Sequence, residues 1–134
     1  MEKRAIQGFL LEEERGKLHL TPEMLEHAYE YLRTTLPFRR MNLPHADNLV
    51  FRVMGARDRF GHFKGRIKDN VDLNEIGVSQ HIVHSTHMLM ATMAHEMIHL
   101  YQHEKGGTRG LHNAQFKRIA ARVCRIHGFD LESF

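Results

Sequence analysis

A histidine-glutamate-x-x-histidine pattern lies in the stretch AHEMIHLYQH, residues 94–103. On a helix, residues four apart lie on one face, so His95 and His99 can both bind one zinc ion. Glu96, one residue after His95, points roughly 100° away from it by helical geometry. The spacing therefore predicts two metal ligands and one carboxylate that remains free to take a proton from a water in the open position of the metal.

The alternative is a helix that carries these side chains by chance, because the pattern is short and the chain contains 12 histidines. The sequence around the motif weighs against this alternative. Residues 88–101 are almost continuously apolar, which is typical of a helix in the centre of a domain. Burying an unpaired imidazole or carboxylate costs about 1–3 kcal/mol or more, so these side chains need a partner, and we interpret the motif as a metal site.

A catalytic zinc site needs a third protein ligand. His103 continues the four-residue spacing, but it lies two turns from His95, about 12 Å along the helix axis, which is too far for one shared ion. A metzincin would carry Gly and His at the positions of Gln102 and Lys105. Glu132 is a late candidate for a gluzincin-type ligand, but no helical pattern surrounds it.

His112 is the best remaining candidate for the third ligand. It follows the glycine-rich segment GGTRG, residues 106–110, which allows the chain to reverse its direction. It also begins a predicted helix over residues 112–127, so that its ring can point back toward the first two histidines. The alternative interpretation is an exposed histidine at a helix N-terminus.

Capping signals and periodicity predict the elements that position these residues. The helix of the motif is expected to begin at Ser85 or Thr86 and to run to about His103 before Gly106 and Gly107, and the last helix is expected to stop at Gly128. Two earlier helices are expected, one over residues 4–15 and one that begins at Pro22 after a Thr21 cap. Alternating apolar residues predict an antiparallel meander of about three strands over residues 48–75.

The composition is typical of one globular α+β domain that spans residues 1–134. Cys124 is the single cysteine, which excludes an internal disulfide and a cysteine-based zinc ribbon. No apolar stretch approaches the roughly 18 residues that span a bilayer, and the first residues do not resemble a secretion signal. We therefore expect a soluble protein with a cytoplasmic location, compatible with association with the nucleoid, and we expect no membrane partner.

Charge is unevenly distributed along the chain. Residues 1–47 carry 7 Lys/Arg and 8 Asp/Glu, whereas residues 48–134 carry 12 and 8. Basic clusters can attract phosphate backbones, and the alternative is a solvated face. One candidate DNA-binding surface comprises Arg52, Arg57, Arg59, Lys64, Arg66 and Lys68, and a second basic run comprises Lys117, Arg118, Arg122 and Arg125.

The motif, the glycine-rich loop and the segment His112-Asn-Ala-Gln-Phe116 together resemble the SprT-like metallopeptidase family, which includes the Spartan DNA–protein crosslink proteases. The resemblance implies a zincin-like domain with one Zn²⁺ ion, the ligands His95, His99 and His112, and Glu96 as the catalytic residue. The chain departs from the family pattern at Asn113, where glycine is usual, and we expect no C-terminal zinc ribbon.

These observations predict a zinc-dependent endopeptidase that acts on protein or peptide substrates, including DNA-associated proteins. Tyr101, His81, His84 and His87 are the candidates that could stabilise an oxyanion. The alternative function is a nucleic-acid-binding module with a structural zinc and no protease activity. A structural zinc usually has four protein ligands, and the sequence offers no evident fourth ligand.

Overall fold

A computed structural model describes residues 18–106 and 112–134. Within these ranges the chain forms three α-helices and a small mixed sheet, which makes it an α+β protein as expected. The predicted helix over residues 4–15 lies outside the described residues. No helix in the described part of the chain is both long and apolar enough to cross a membrane.

Helix α1, Pro22–Arg33, begins where its sequence predicts. The Thr21 side chain accepts a hydrogen bond from the backbone N–H of Met24 at 3.2 Å, and Pro22 occupies the first turn. The Tyr29 ring packs against Phe51 with a centroid distance of 5.5 Å. The buried face of α1 consists of Leu25, Ala28, Tyr29 and Leu32. This face anchors α1 to the sheet and to the central helix.

The sheet has three strands, which are β1 (Leu49–Met54), β2 (Gly61–Lys64) and β5 (Asn74–Ser79). Their order across the sheet is β1-β5-β2. Strand β5 pairs in parallel with β1 and antiparallel with β2. A separate hairpin joins β3, Ile67–Lys68, to β4, Val71–Asp72.

The predicted antiparallel meander over residues 48–75 is therefore wrong. The chain passes from β1 to the edge strand β2 and then returns to place β5 between them, so the sheet is mixed. Apolar alternation reports which side of a strand is buried, but it carries no information about the neighbouring strand or its direction. All six residues of β5 are buried, as its central position requires.

The two faces of the sheet differ in chemistry. On one face, Gly61 and Phe63 of β2 lie opposite Val78 and Ile76 of β5, and this face packs on the helix of the motif. On the other face, Glu75 of β5 is surrounded by side chains from β1 and β2. One face therefore belongs to the core, and the opposite face is open and charged.

Helix α2, Thr86–Glu104, carries the motif through the centre of the molecule. The Ser85 side chain caps it by accepting from the N–H of Met88 at 3.1 Å, which confirms one of the two predicted caps. Met93, Ala94, Met97, Ile98 and Leu100 are fully buried. The helix ends close to the predicted residue, and Gly106 follows with a φ of +83°.

Helix α3, Ala114–His127, begins two residues later than predicted. Asn113 takes the capping role, because its Oδ1 accepts a hydrogen bond from the N–H of Phe116 at 2.9 Å. His112 consequently lies in the turn before the helix. The predicted stop at Gly128 is confirmed, since this residue adopts the left-handed conformation with a φ of +79°.

Candidate metal centre

Three histidines from two separate segments converge. His95 and His99 project from α2, and His112 reaches them from the turn before α3; one ring nitrogen from each lies within 4.8 Å of the others. The Nε2 atoms of His95 and His112 are 3.2 Å apart. In a tetrahedral site with Zn–N bonds near 2.0–2.1 Å, ligand nitrogens are about 3.3 Å apart. The donor set and the spacing of the His95 and His112 nitrogens therefore fit one zinc ion.

The ring of Phe116 supports all three histidines. Its centroid lies 4.9 Å from that of His95, 4.8 Å from that of His99 and 4.7 Å from that of His112. Phe116 is itself buried. A rigid aromatic ring in contact with three imidazoles restricts their rotation, so the cluster is pre-organised. In the sequence, Phe116 stood out as the end of the segment that carries the family resemblance, and nothing there indicated this contact.

A main-chain oxygen orients the first histidine. The Nδ1–H of His95 donates to the oxygen of Phe134 at 2.7 Å, which leaves the Nε2 lone pair for a metal. Burial and the nearby His99 lower the pKa of His95 to about 4, although the bond to Phe134 opposes this shift. His95 is consequently neutral at pH 7, which is the form that binds metals. Nothing in the sequence indicated the part played by Phe134.

Gln102 connects the second histidine to the segment that carries the third. Burial and the neighbouring His112 lower the pKa of His99, and a hydrogen bond with the Gln102 side chain acts in the opposite direction. The buried Gln102 also donates from Nε2 to Asn113 Oδ1 at 2.9 Å and to Gln115 Oε1 at 3.1 Å. Asn113 therefore both caps α3 and joins that helix to α2. A sequence signal existed, because Gln102 lies three residues beyond His99 and so on the same helix face.

The side chain of Glu96 extends from α2 toward the edge strand β2. This side chain is buried, with 6% of the residue exposed, and burial raises its pKa to about 8. It does not belong to the three-histidine cluster, as its helical direction predicted. A methyl group in place of the Gly61 hydrogen would lie 3.3 Å from Glu96 Oε2. The absence of a side chain at Gly61 thus leaves space for this carboxyl group.

A cavity of about 500 Å³ opens beside the cluster. Glu96 and His95 lie on its wall, together with Gly61 of the edge strand. His87 also lines it, and its ring contacts that of Phe129 with a centroid distance of 5.5 Å. Among the four candidate oxyanion donors, His87 is the one that lies on this wall. Tyr101 instead lies under the Lys105 ammonium, 5.8 Å from its ring centroid.

Two rejected ligand candidates lie apart from the cluster. The ring of His103 packs against Phe63, with a centroid distance of 5.4 Å. Glu132 is an exposed residue in the short 3₁₀ turn Leu131–Ser133. Neither belongs to the group of potential ligands found in residues 18–106 and 112–134, which contains three histidines and no fourth member.

Two arginines of the first basic run, Arg52 and Arg66, lie beside a buried carboxylate of the sheet. Glu75, 2% exposed, contacts Arg52 at 3.2 Å, His62 at 2.7 Å and Arg66 at 3.9 Å. Burial alone would raise the pKa of Glu75, but hydrogen bonds from His62 and Arg52 and the two arginine charges hold it below its usual value. Arg59 pairs with Asp58 at 3.3 Å. Arg52 and Arg66 therefore neutralise a buried carboxylate as well as facing solvent.

Comparison with known proteins identifies one family. The model of the SprT-like family matches residues 38–133, which include all of the sheet, α2 and α3. Neither the curated proteins nor the solved structures contain a match. The matched range contains His95, Glu96, His99 and His112, and it confirms the family resemblance inferred from the sequence.

Proposed function

Since this chain belongs to the SprT-like family, we propose that it is a zincin-like, zinc-dependent endopeptidase. The observation that carries the proposal is the convergence of three imidazoles beside a buried carboxyl group that lines a cavity. A catalytic zinc has three protein ligands and one open position. The cluster offers three histidines, which favours a catalytic zinc over a structural one with four protein ligands.

His95, His99 and His112 would hold the ion, with the bonds to Phe134 and Gln102 orienting two of the rings. Bound zinc would supply Lewis-acid chemistry, which makes water a stronger acid and polarises the scissile carbonyl. Ionised Glu96, a form that the positive charge of a bound zinc would favour, accepts a proton from water as the water oxygen bonds to the carbonyl carbon. It then returns this proton to the amine nitrogen as the C–N bond breaks.

Other residues around the cavity would position the substrate. Strand β2 is an edge strand of the sheet, and Gly61 at its start lines the cavity. An extended polypeptide can pair with such an edge through main-chain hydrogen bonds. His87 is our candidate for the group that donates to the developing oxyanion, because its side chain faces the same cavity as Glu96.

The test compares Glu96→Gln with Glu23→Gln, which removes an exposed carboxylate at the start of α1. We expect both variants to bind one equivalent of zinc. Cleavage of an unfolded model protein should fall about 10²–10⁴-fold in Glu96→Gln, because general acid–base catalysis contributes about that factor, and should be unchanged in Glu23→Gln. Undiminished cleavage by zinc-replete Glu96→Gln protein would refute the proposal.

We propose in addition that the open face of the sheet contacts DNA, so that the substrates include DNA-associated proteins. The supporting observation is that Arg52, Lys64 and Arg66 are exposed beside the buried Glu75 on the side away from α2. Lys64→Gln should weaken DNA binding and reduce its salt dependence, whereas Arg122→Gln on α3 should not. Equal loss in both variants, or binding that is insensitive to salt, would refute a specific role for this face.

The nucleic-acid module with a structural zinc predicts a different outcome. In that case a chelator would unfold the domain, and zinc-loaded protein would cleave no polypeptide. Circular dichroism before and after chelation, combined with the cleavage assay above, separates this module from the endopeptidase.

A further inference from the structure

The cavity beside Glu96 is largely apolar. Its walls include Phe60, Met88, Ala91, Phe129 and Phe134, which contribute three aromatic rings, a thioether and a methyl group. The Phe129 and Phe134 rings stack with a centroid distance of 6.0 Å and an interplanar angle of 12°. Aromatic and thioether walls of this kind bind apolar groups through area burial and ring contacts.

The polar groups of the cavity are unevenly placed. Glu96 and His95 lie where the cavity meets the metal centre, and both have roles in the proposed reaction. The other polar residues that line it, most of them exposed to solvent, are Arg59, His87, Thr92, Asp130 and Ser133. A charged side chain that entered the part lined by aromatic rings would lose its hydration, which is costly wherever no oppositely charged group is within reach. An apolar side chain would incur no such penalty.

The size of the cavity suits a large side chain. A cavity of roughly 150 Å³ with apolar walls already accommodates benzene, and this cavity measures about 500 Å³. A second cavity of about 490 Å³ lies on the His112 side, and both are lined by His95 and Phe134. The first cavity is the one that contains the Glu96 carboxyl group. A residue bound there would be next to the bond that Glu96 acts on.

We propose that this cavity binds the side chain of a large apolar residue, such as Phe, Leu or Met, that flanks the scissile bond. The proposal rests on the endopeptidase function and specifies its substrates. Large apolar side chains are mostly buried in folded proteins. The substrates are therefore polypeptide segments that are unfolded, or locally opened, at the cleaved bond.

Binding to zinc-loaded Glu96→Gln protein tests the pocket without requiring cleavage. The probes are nonapeptides of Gly and Ser whose central residue is Phe, Leu, Ala or Lys, and calorimetry measures their Kd. Because burial of one large apolar side chain strengthens binding, we expect the Phe and Leu peptides to bind about 10-fold or more tightly than the Ala peptide. The Lys peptide should bind no better than the Ala peptide. Equal affinities across the series would overturn the proposal.

A matched pair of substitutions then locates the binding site. Ala91 is half-buried on α2 and lines the cavity, whereas Ala121 is exposed on α3. In the Glu96→Gln background, Ala91→Leu should fill part of the cavity and reduce the advantage of the Phe peptide to less than about 3-fold. Ala121→Leu should leave that advantage intact. An unchanged advantage in Ala91→Leu would place the apolar site elsewhere and overturn the proposal.

A cleavage assay of the same peptides with wild-type protein distinguishes the apolar pocket from the endopeptidase function on which it rests. Cleavage that ignores the central residue would refute the pocket and leave the endopeptidase in place. Selective binding of the Phe peptide without any cleavage by zinc-loaded wild-type protein would refute the endopeptidase, and with it a pocket that acts next to a scissile bond. Cleavage adjacent to Phe or Leu, reduced by Ala91→Leu, supports both.

Discussion

Gly61 lies where the edge strand β2 passes close to both β5 and α2. A methyl group at this position would lie 2.7 Å from the carbonyl oxygen of Gly77 and 2.9 Å from Cγ2 of Thr92. Both distances are shorter than the optimal non-bonded separation of about 3.5–4.0 Å. The Gly77 oxygen belongs to the main chain and cannot rotate away. Gly61→Ala must therefore move β2, and with it the space that Glu96 occupies.

The expected destabilisation combines two opposing contributions. Overpacking of this kind costs about 1–3 kcal/mol, while replacing glycine by alanine restricts the unfolded chain and stabilises the fold by about 0.4–1 kcal/mol. We expect a net loss of roughly 0–2.6 kcal/mol in the free energy of unfolding. Gly55→Ala is the matched control, because its nearest neighbouring atom is 3.7 Å away in the His81 ring, an ordinary contact.

Urea denaturation of the metal-free proteins, followed by circular dichroism, measures both variants. Gly55→Ala should be unchanged or slightly stabilised, so the two variants should differ by about 1–3 kcal/mol. Adding Thr92→Ser to Gly61→Ala removes the Cγ2 contact and should recover part of the loss, but not the part due to Gly77. Equal stability of Gly61→Ala and Gly55→Ala would show that β2 does not pack as closely as described.

Three further predictions concern the metal centre and the buried carboxylate. His112→Ala should weaken zinc binding by more than roughly 10–100-fold, which is the cost of losing a residue that only hydrogen-bonds to a ligand, whereas His103→Ala should not weaken it. Chelator competition measures the zinc affinity of both variants. Equal losses of affinity would contradict the assignment of His112 as a ligand. Gln102→Leu should weaken zinc binding about 10–100-fold, because the His99 ring and Asn113 both lose their hydrogen bond with the Gln102 side chain. Unchanged zinc affinity would contradict a role of Gln102 in orienting His99. Glu75→Gln should lower the stability by about 1–3 kcal/mol at pH 7. Because the folded pKa of Glu75 lies below its usual value of 4.5, this contribution is present above pH 4.5 and is lost as the pH falls through the folded pKa. The two proteins should therefore converge in urea titrations at low pH, and a difference that stays constant with pH would contradict the linkage.

Short-range features were predictable from the sequence. The caps at Thr21 and Ser85 and the stop at Gly128 depend on hydrogen bonds and φ angles within a few residues. The shared face of His95 and His99 follows from the helical repeat alone. His112 was identified with less support, because its approach depends on a turn before α3 rather than on periodicity.

The remaining features depended on contacts between distant parts of the chain. The insertion of β5 beside β1 joins strands whose paired residues are 25 apart in sequence, Leu49 with Asn74. The bond from His95 to Phe134 spans 39 residues. Such pairings form because several elements bury their apolar faces together, so no local pattern encodes them. The sequence by itself determined the ligand types and the single helix that carries two of them, while the tertiary structure decided how Phe134, Phe116 and Gln102 hold those ligands.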